Sequence, residues 1–239
     1  MLNLYVGYDP RESVAYHVFC QSVLDHASVP VSFIPLHRPM LGGFDGQRDG
    51  TNAFIFSRYL IPQLQDFRGW AMFADGDMLV RDDIAKLWAL RDVNKAVQVI
   101  PHDYRTRSPR KYVGSPIENA NVDYPRKNWS SVVLWNCAHP SNRILTTEFV
   151  EDAGGAFLHR FQWLRDDEIG GLPDEWNLLI GEQSGHPKLA HFTLGIPAFS
   201  HYRQAPYSDE WAGTYLRAIH CIGENPLALT NWAVEATCG

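Results

Sequence analysis

Two hydrophobic rhythms alternate along the first hundred residues. "LNLYVGYD" (2–9) is a short apolar run ending at Gly7 and predicts a buried strand, whereas "ESVAYHVFCQSVLDHA" (12–27) sets Val14, Val18, Phe19, Val23 and Leu24 at helical spacing. "VSFIPLH" (31–37) predicts a second strand, and the Gly- and Asp-rich segment 38–50 a loop. "TNAFIFSRYLIPQL" (51–64) predicts a helix and "WAMFAD" (70–75) a strand. "DDIAKLWAL" (82–90) predicts a short helix whose first residues, Asp82 and Asp83, suit the helix dipole, and "KAVQVIP" (95–101) another strand. Farther on, "WSSVVLWN" (129–136) reads as a strand and "SNRILTTEFVEDAGGAFLHRF" as a helix with a break at Gly154–Gly155. This alternation indicates an α/β fold around a central, mostly parallel sheet.

The pattern breaks at "FADGDMLV", where two carboxylates flank a glycine inside an apolar run. In a regular strand Asp75 and Asp77 would point to the same face. Two like charges against an apolar core are costly unless a cation lies between them. A divalent ion with oxygen ligands answers that, and Gly76 lets a ligand approach the backbone. A polar turn closing a strand is the bland alternative. Ligands of such sheets bind at the carboxyl ends of the strands, where Tyr8 and Asp9 also fall, so two polar strand ends converge on one cleft.

Composition narrows the choices. The 239 residues allow one large domain or two small ones, and a hydrophobic fraction of 45% supports a sizeable core. A formal net charge of -6 argues against a general nucleic-acid binder. Eight Trp and ten Tyr offer flat faces, for core packing or for sugar rings. Cys20, Cys137, Cys221 and Cys238 show neither CxxC nor zinc spacing and read as reduced thiols. With no basic leader and no long apolar run, the expectation is a cytoplasmic protein with no transmembrane segment. Residues 102–128 stand apart: six Lys or Arg against three Asp or Glu, either a solvated loop or a wall over an anionic substrate.

"FADGDMLVRDDIAKLW" resembles the metal-binding strand of the glycosyltransferases of family eight, the group that includes glycogenin and bacterial lipooligosaccharide galactosyltransferases. Ile84, Leu87 and Trp88 match the tail of that motif. Three more stretches follow in the family's order: "LYVGYDPRESVAYHVFCQSVL" (4–24), "FSRYL" (56–60) and "HFTLGIPAF" (191–199). The resemblance implies one GT-A-type, Rossmann-like domain over 1–239. Its nucleotide-binding half would span about 1–100, its acceptor half about 101–200, and a C-terminal extension about 201–239. It implies transfer of a sugar from a nucleotide sugar, UDP-linked as is usual in the family, to a saccharide or other hydroxyl acceptor. Retention of configuration and Mn²⁺ or Mg²⁺ as cofactor belong to the same expectation. By residue, Asp75, Asp77 and His191 would hold the metal, and Asp75, Asp77 and Arg58 would serve catalysis. Tyr8, Asp9, Arg58, Gly76 and Gly195 would meet the donor, Arg58 touching its sugar or steadying a site carboxylate. Asn128, Trp163, Asp166 and Asp167 would face the acceptor.

The sequence departs from the family in one place above all. Pro197, Ala198 and Phe199 stand where a Lys-Pro-Trp is expected, so the lysine that would hold the diphosphate is missing. Arg203 or a basic residue of 102–128 would have to replace it, which implies a divergent bacterial or phage-like branch. Two other readings stay open: a haloacid dehalogenase-type phosphotransferase using Asp75 as nucleophile, and a non-catalytic nucleotide-sugar-binding protein.

Overall fold

The computed structural model describes residues 1–42, 44 and 52–219. Loop residues 43 and 45–50, Thr51, Cys221, Cys238 and most of the proposed C-terminal extension therefore lie outside the described residues. The chain opens with β1 (Leu2–Gly7), a short turn of 3-10 helix, α1 (Ser13–His26) and β2 (Val31–Leu36). The first 3-10 turn starts because Pro10 fixes the backbone and the Asp9 carboxylate caps it, accepting from the Arg11 N–H. The expected helix over 51–64 shrinks to a 3-10 turn at Ser57–Leu60 and a single turn, α2 (Ile61–Leu64). Pro62 falls in the first turn of α2, and aromatic side chains at Phe54, Phe56 and Tyr59 are buried instead of lining one helical stripe.

β3 (Trp70–Ala74) and β4 (Met78–Val80) are separate strands in different sheets, not one long strand. α3 (Ile84–Trp88) follows, capped by Asp83, whose side chain accepts from the Ala85 N–H at 2.9 Å. Next come β5 (Val97–Val99), a small ribbon of β6 (Arg110–Lys111) and β7 (Asn119–Ala120), and β8 (Val132–Asn136). The expected break at Gly154–Gly155 separates α4 (Thr147–Asp152) from α5 (Gly155–His159). β9 (Ile169–Gly171), β10 (Leu178–Leu179), β11 (Leu189–His191) and α6 (Ser208–Ala218) complete the described chain.

The main sheet has the order β2-β1-β3-β8-β5-β9, and only β8 runs against its neighbours. Both faces are buried, which is why its strands read as unbroken apolar runs. Tyr5, Phe73, Val133, Trp135 and Val97 face one cluster with Tyr59 and Phe161. Leu4, Val6, Met72, Ala74 and Leu134 face the other, against Phe19 and Val23 of α1 and Ile84 and Leu87 of α3. A second sheet, β10-β11-β4, packs its own cluster of Leu79, Ala190 and Phe192 beside Trp211 of α6. The chain changes sheet at Asp75-Gly76-Asp77. A methyl group on Gly76 would lie 2.5 Å from the Gly7 carbonyl oxygen, which belongs to backbone and cannot swing aside. Gly76→Ala is therefore expected to cost about 1–3 kcal/mol in urea unfolding, and an unchanged midpoint would show that the bend has room to relax.

The basic segment 102–128 is anchored to the rest of the molecule. The buried Glu182 carboxylate accepts from the Thr106 hydroxyl at 2.8 Å and the backbone N–H groups of Arg107 and Ser108 at 2.7 and 3.3 Å. The Tyr112 N–H donates to the Leu194 carbonyl at 2.6 Å, docking the ribbon on the chain that follows β11.

Candidate active site

The bend between β3 and β4 is clamped from two sides. The Asp75 N–H donates to the Ser131 carbonyl and the Phe192 N–H to the Asp77 carbonyl, both at 2.9 Å. The two carboxylates are thus brought together by a bend and not by a strand pleat. His191 ends β11, directly beside β4, with Met78 as its register partner. One ligand atom each from Asp75, Asp77 and His191 falls within 4.8 Å of the others, and all three residues are buried.

The imidazole is aimed. Its Nδ1 is 2.9 Å from the Asn177 amide oxygen, while the Asn177 amide nitrogen donates to the Ser131 hydroxyl at 2.8 Å. The Ser131 hydroxyl donates its own proton to the Asn128 carbonyl at 2.6 Å and so can only accept from the amide, which fixes which end faces the ring. An amide oxygen only accepts, so Nδ1 carries a proton and Nε2 is the nitrogen turned to the carboxylates. Nε2 lies 3.3 Å from Asp77 Oδ1 and 4.0 Å from Asp75 Oδ2. An Nε2 lone pair facing buried carboxylate oxygens would repel them, so either a proton or a metal ion lies between ring and carboxylates. Asp77 Oδ1 is itself buried, with no hydrogen-bond partner among the described residues. Two carboxylates and an imidazole form a donor set that suits Mn²⁺, so the residues present fit a divalent ion. Asn177, fully buried, supports the ring from behind. Asn177→Ala is expected to weaken Mn²⁺ binding roughly 10- to 100-fold in titration calorimetry; unaltered affinity would remove His191 from the set.

Arg58 is the cation that Asp75 already has. Its Nη1 is 2.9 Å from Asp75 Oδ1 and donates to the Ser130 carbonyl at 2.7 Å. Its guanidinium carbon stacks 4.7 Å from the Phe73 ring centre and 5.3 Å from that of Phe54, a geometry that keeps the charge in place. Burial is the largest influence on Asp75; Arg58 opposes it and the neighbouring Asp77 adds to it, and the carboxyl is raised to about 6. Asp77 feels the same burial, but the His191 ring and Lys111 outweigh it and hold the carboxyl below its ordinary value. Burial also pushes the His159 imidazole down to about 3, with Arg58 adding to the effect, so this ring is neutral. Its Nδ1 lies 2.8 Å from the Tyr59 hydroxyl and 2.9 Å from that of Ser130.

A small cleft, with about 80 Å³ of interior space, opens over these groups. Of the residues singled out from the sequence, Arg58, Asp75, Asp77, Asn128 and His191 line it. Asn128 has a left-handed backbone, φ 62°, and donates to the Tyr104 hydroxyl at 2.9 Å. Tyr8 lies at the end of β1, its ring 4.8 Å from that of His37 and 5.5 Å from that of Tyr16. Asp9 is buried with both oxygens engaged, by Arg11 and by the Ala53 N–H at 3.0 Å. Gly195 adopts φ 151°, and a methyl group there would meet the Tyr202 ring at 2.3 Å, so close packing explains this glycine.

Three acceptor-side candidates stand outside the cleft lining. Trp163 stacks on Trp135 at 6.4 Å and packs against the core. Asp166 and Asp167 sit on the exposed turn before β9, paired with Arg126 at 2.6 Å and Arg165 at 3.0 Å. Sequence reasoning passed over Asn177, whose signal was the "WN" closing "LPDEWN", and His159, which carries no local signal. It also missed Glu12. Burial, then the charges of Asp77, Asp9 and Asp75, raise that buried carboxyl well above the ordinary range.

No family model matches the chain. It is 41% identical over 222 residues to Protein CDI of Arabidopsis thaliana, spanning 87% of this chain and 84% of that protein. The chain belongs to the Protein CDI family. That relative is a plant protein, so the branch reaches beyond bacteria and phages. Solved structures of similar fold are glycosyltransferases. WbbM, a bifunctional glycosyltransferase, superposes with a TM-score of 0.62 at 12% identity, covering 90% of this chain and 49% of WbbM. GlyE of Streptococcus pneumoniae TIGR4 gives 0.54 at 13%, covering 98% of this chain and 64% of GlyE. The galactosyltransferase LgtC, solved with donor and acceptor sugar analogues, gives 0.54 at 13%, covering 93% of this chain and 98% of LgtC. The chain thus spans about half of WbbM and under two thirds of GlyE, but nearly all of LgtC. The fold is GT-A, as the family-eight resemblance implies. Among the described residues no helix is long and apolar enough to cross a membrane.

Proposed function

We propose that the chain is a metal-dependent glycosyltransferase that moves a sugar from a UDP-linked donor to a hydroxyl acceptor with retention of configuration. The observation that carries this reading is the buried Asp75, Asp77 and His191 trio, with one ligand atom of each within 4.8 Å of the others, at the mouth of a GT-A sheet. When bound, Mn²⁺ would supply Lewis-acid help to the leaving diphosphate. Asp75 and Asp77 would hold it through oxygen and His191 through Nε2, while Arg58 keeps Asp75 ionised and oriented. Asp75 and Asp77 are the only carboxylates among the described cleft-lining residues. That supports a same-face transfer, in which the acceptor hydroxyl passes its proton to the departing phosphate oxygen and positioning does most of the catalysis. Tyr8 and Asp9 on the β1–α1 turn remain our candidates for the base and ribose, Gly76 for close approach of the donor, and Asn128 for the acceptor. Free thiols at Cys20 and Cys137 support a cytoplasmic location.

The test is incubation with a panel of nucleotide sugars and Mn²⁺, following nucleoside diphosphate release with and without simple saccharide acceptors. Release from a UDP-sugar that stops with EDTA is the expected result. Turnover of a phosphomonoester in its place would favour the phosphotransferase reading. Donor binding without release under any acceptor would favour the binding-protein reading.

A further inference from the structure

The chain lacks a lysine after Gly195, where the resemblance placed the diphosphate contact, and the structure offers a cation from a different element. We propose that Lys111, on β6 of the 102–128 wall, is the residue that holds the donor diphosphate. This rests on the reading of the cleft as a nucleotide-sugar site.

Four observations converge on Lys111. It lines the cleft with Asp75, Asp77 and His191. Its ammonium donates to the Thr193 hydroxyl at 2.8 Å, so it is anchored on the same stretch that should have supplied the missing lysine. The backbone beside it is fixed there too: the Tyr112 N–H donates to the Leu194 carbonyl at 2.6 Å, and the Val113 N–H to the Tyr202 hydroxyl at 3.0 Å. Finally, an ammonium has three N–H groups, and the described residues give this one a single hydrogen-bond partner, so donors remain for a ligand.

The other cations are accounted for. Arg58 is buried against Asp75 and the Ser130 carbonyl. Arg110 pairs with Glu118, Arg126 with Asp166, and Lys127 with Asn121 and Asp123. Arg105, Arg107 and Arg203 are exposed and do not line the cleft. The charges also balance. Arg58 and Lys111 offset Asp75 and Asp77, so a divalent ion leaves the lining with roughly two positive charges, matching the two negative charges of a sugar diphosphate diester. As the sugar departs, the leaving diphosphate becomes more negative, and a fixed ammonium beside the metal then binds it more strongly than the ground state.

The experiment is titration calorimetry in Mn²⁺ with UDP, GDP, uridine and guanosine, on wild type, Lys111→Met, Lys111→Arg and Arg203→Ala. Lys111→Met is expected to weaken the diphosphate that wild type prefers roughly 10- to 100-fold while leaving its nucleoside nearly unchanged, since one charge-assisted hydrogen bond is lost. Lys111→Arg should recover most of the loss, and Arg203→Ala should lose nothing. In parallel, wild-type protein is acetylated with and without UDP and Mn²⁺, and modification of Lys111 is read by mass spectrometry. Protection of Lys111 is expected, and this readout does not depend on how a variant folds. Wild type that binds a diphosphate while Lys111→Met binds it equally well, or Lys111 left unprotected, overturns this inference alone. Wild type that binds neither diphosphate overturns the nucleotide-site reading and this inference with it.

Discussion

Changing Asp77 to asparagine is expected to lower turnover of the donor about 10²- to 10³-fold, the scale seen when one group stabilising a developing charge is removed. The loss follows from the geometry. Asp77 Oδ1 is buried with no hydrogen-bond partner among the described residues, 3.3 Å from the His191 Nε2. An amide there offers a weaker, neutral ligand to a metal, and beyond Asp75, already assigned to the same ion, no carboxylate is among the described cleft residues to take over. UDP affinity should fall with activity when Mn²⁺ is present, and not when it is absent. Asp77 is held below its ordinary carboxylate value, so its charge is favourable where it stands, and the apo protein should gain no stability from the change. The companion pH result comes from Asp75. Its carboxyl is raised by burial to about 6, and a proton there competes with the metal. Mn²⁺ binding by wild type should therefore be strong above that pH and fade as pH drops through it. Calorimetric titrations that show UDP affinity in Mn²⁺ unchanged for Asp77→Asn would refute the metal assignment.

Replacing Arg58 with methionine is expected to produce the largest loss of stability, about 3–5 kcal/mol in the metal-free protein. Arg58 is 4% exposed and is the ion-pair partner of Asp75. Removing it leaves a buried carboxylate beside Asp77 with its nearest cation gone. The protein can relieve this by protonating Asp75, so the deficit has a pH signature. Arg58 lowers the Asp75 carboxyl against burial, and without it that carboxyl rises further above about 6. A carboxyl whose folded value lies above its unfolded value destabilises the fold as pH climbs through the gap. The deficit should thus be small near about pH 5 and large near about pH 8 in urea unfolding. Mn²⁺ should recover part of it, because the ion replaces the missing positive charge. A deficit independent of both pH and Mn²⁺ would mean that Arg58 matters for its stacking on Phe73 and Phe54 and not for its charge.

Local sequence carried a good part of this protein. Apolar runs of five or six residues marked β1, β3 and β8 because a strand buried on both faces cannot alternate. Helical spacing marked α1, and Asp82 and Asp83 marked the start of α3 by their fit to the helix dipole. The Asp75-Gly76-Asp77 break was legible as charged groups in apolar surroundings, where burial without a partner is costly, while His191 came with the family resemblance. The helix expected over 51–64 was not, because Pro62 and scattered aromatics obey the packing of the core more than any helical period. What only the tertiary structure decided was the pairing across distance. Asp75 and Asp77 meet through a change of sheet at Gly76, not through a pleat. Asn177 reaches the His191 ring across a parallel strand pair, and Lys111 reaches Thr193 from another element altogether. Such contacts depend on which strands lie side by side, and sheet order is set by the summed packing of three clusters. No window of sequence around one of these residues contains that sum, so the ligand types were visible in the chain while their supports were not.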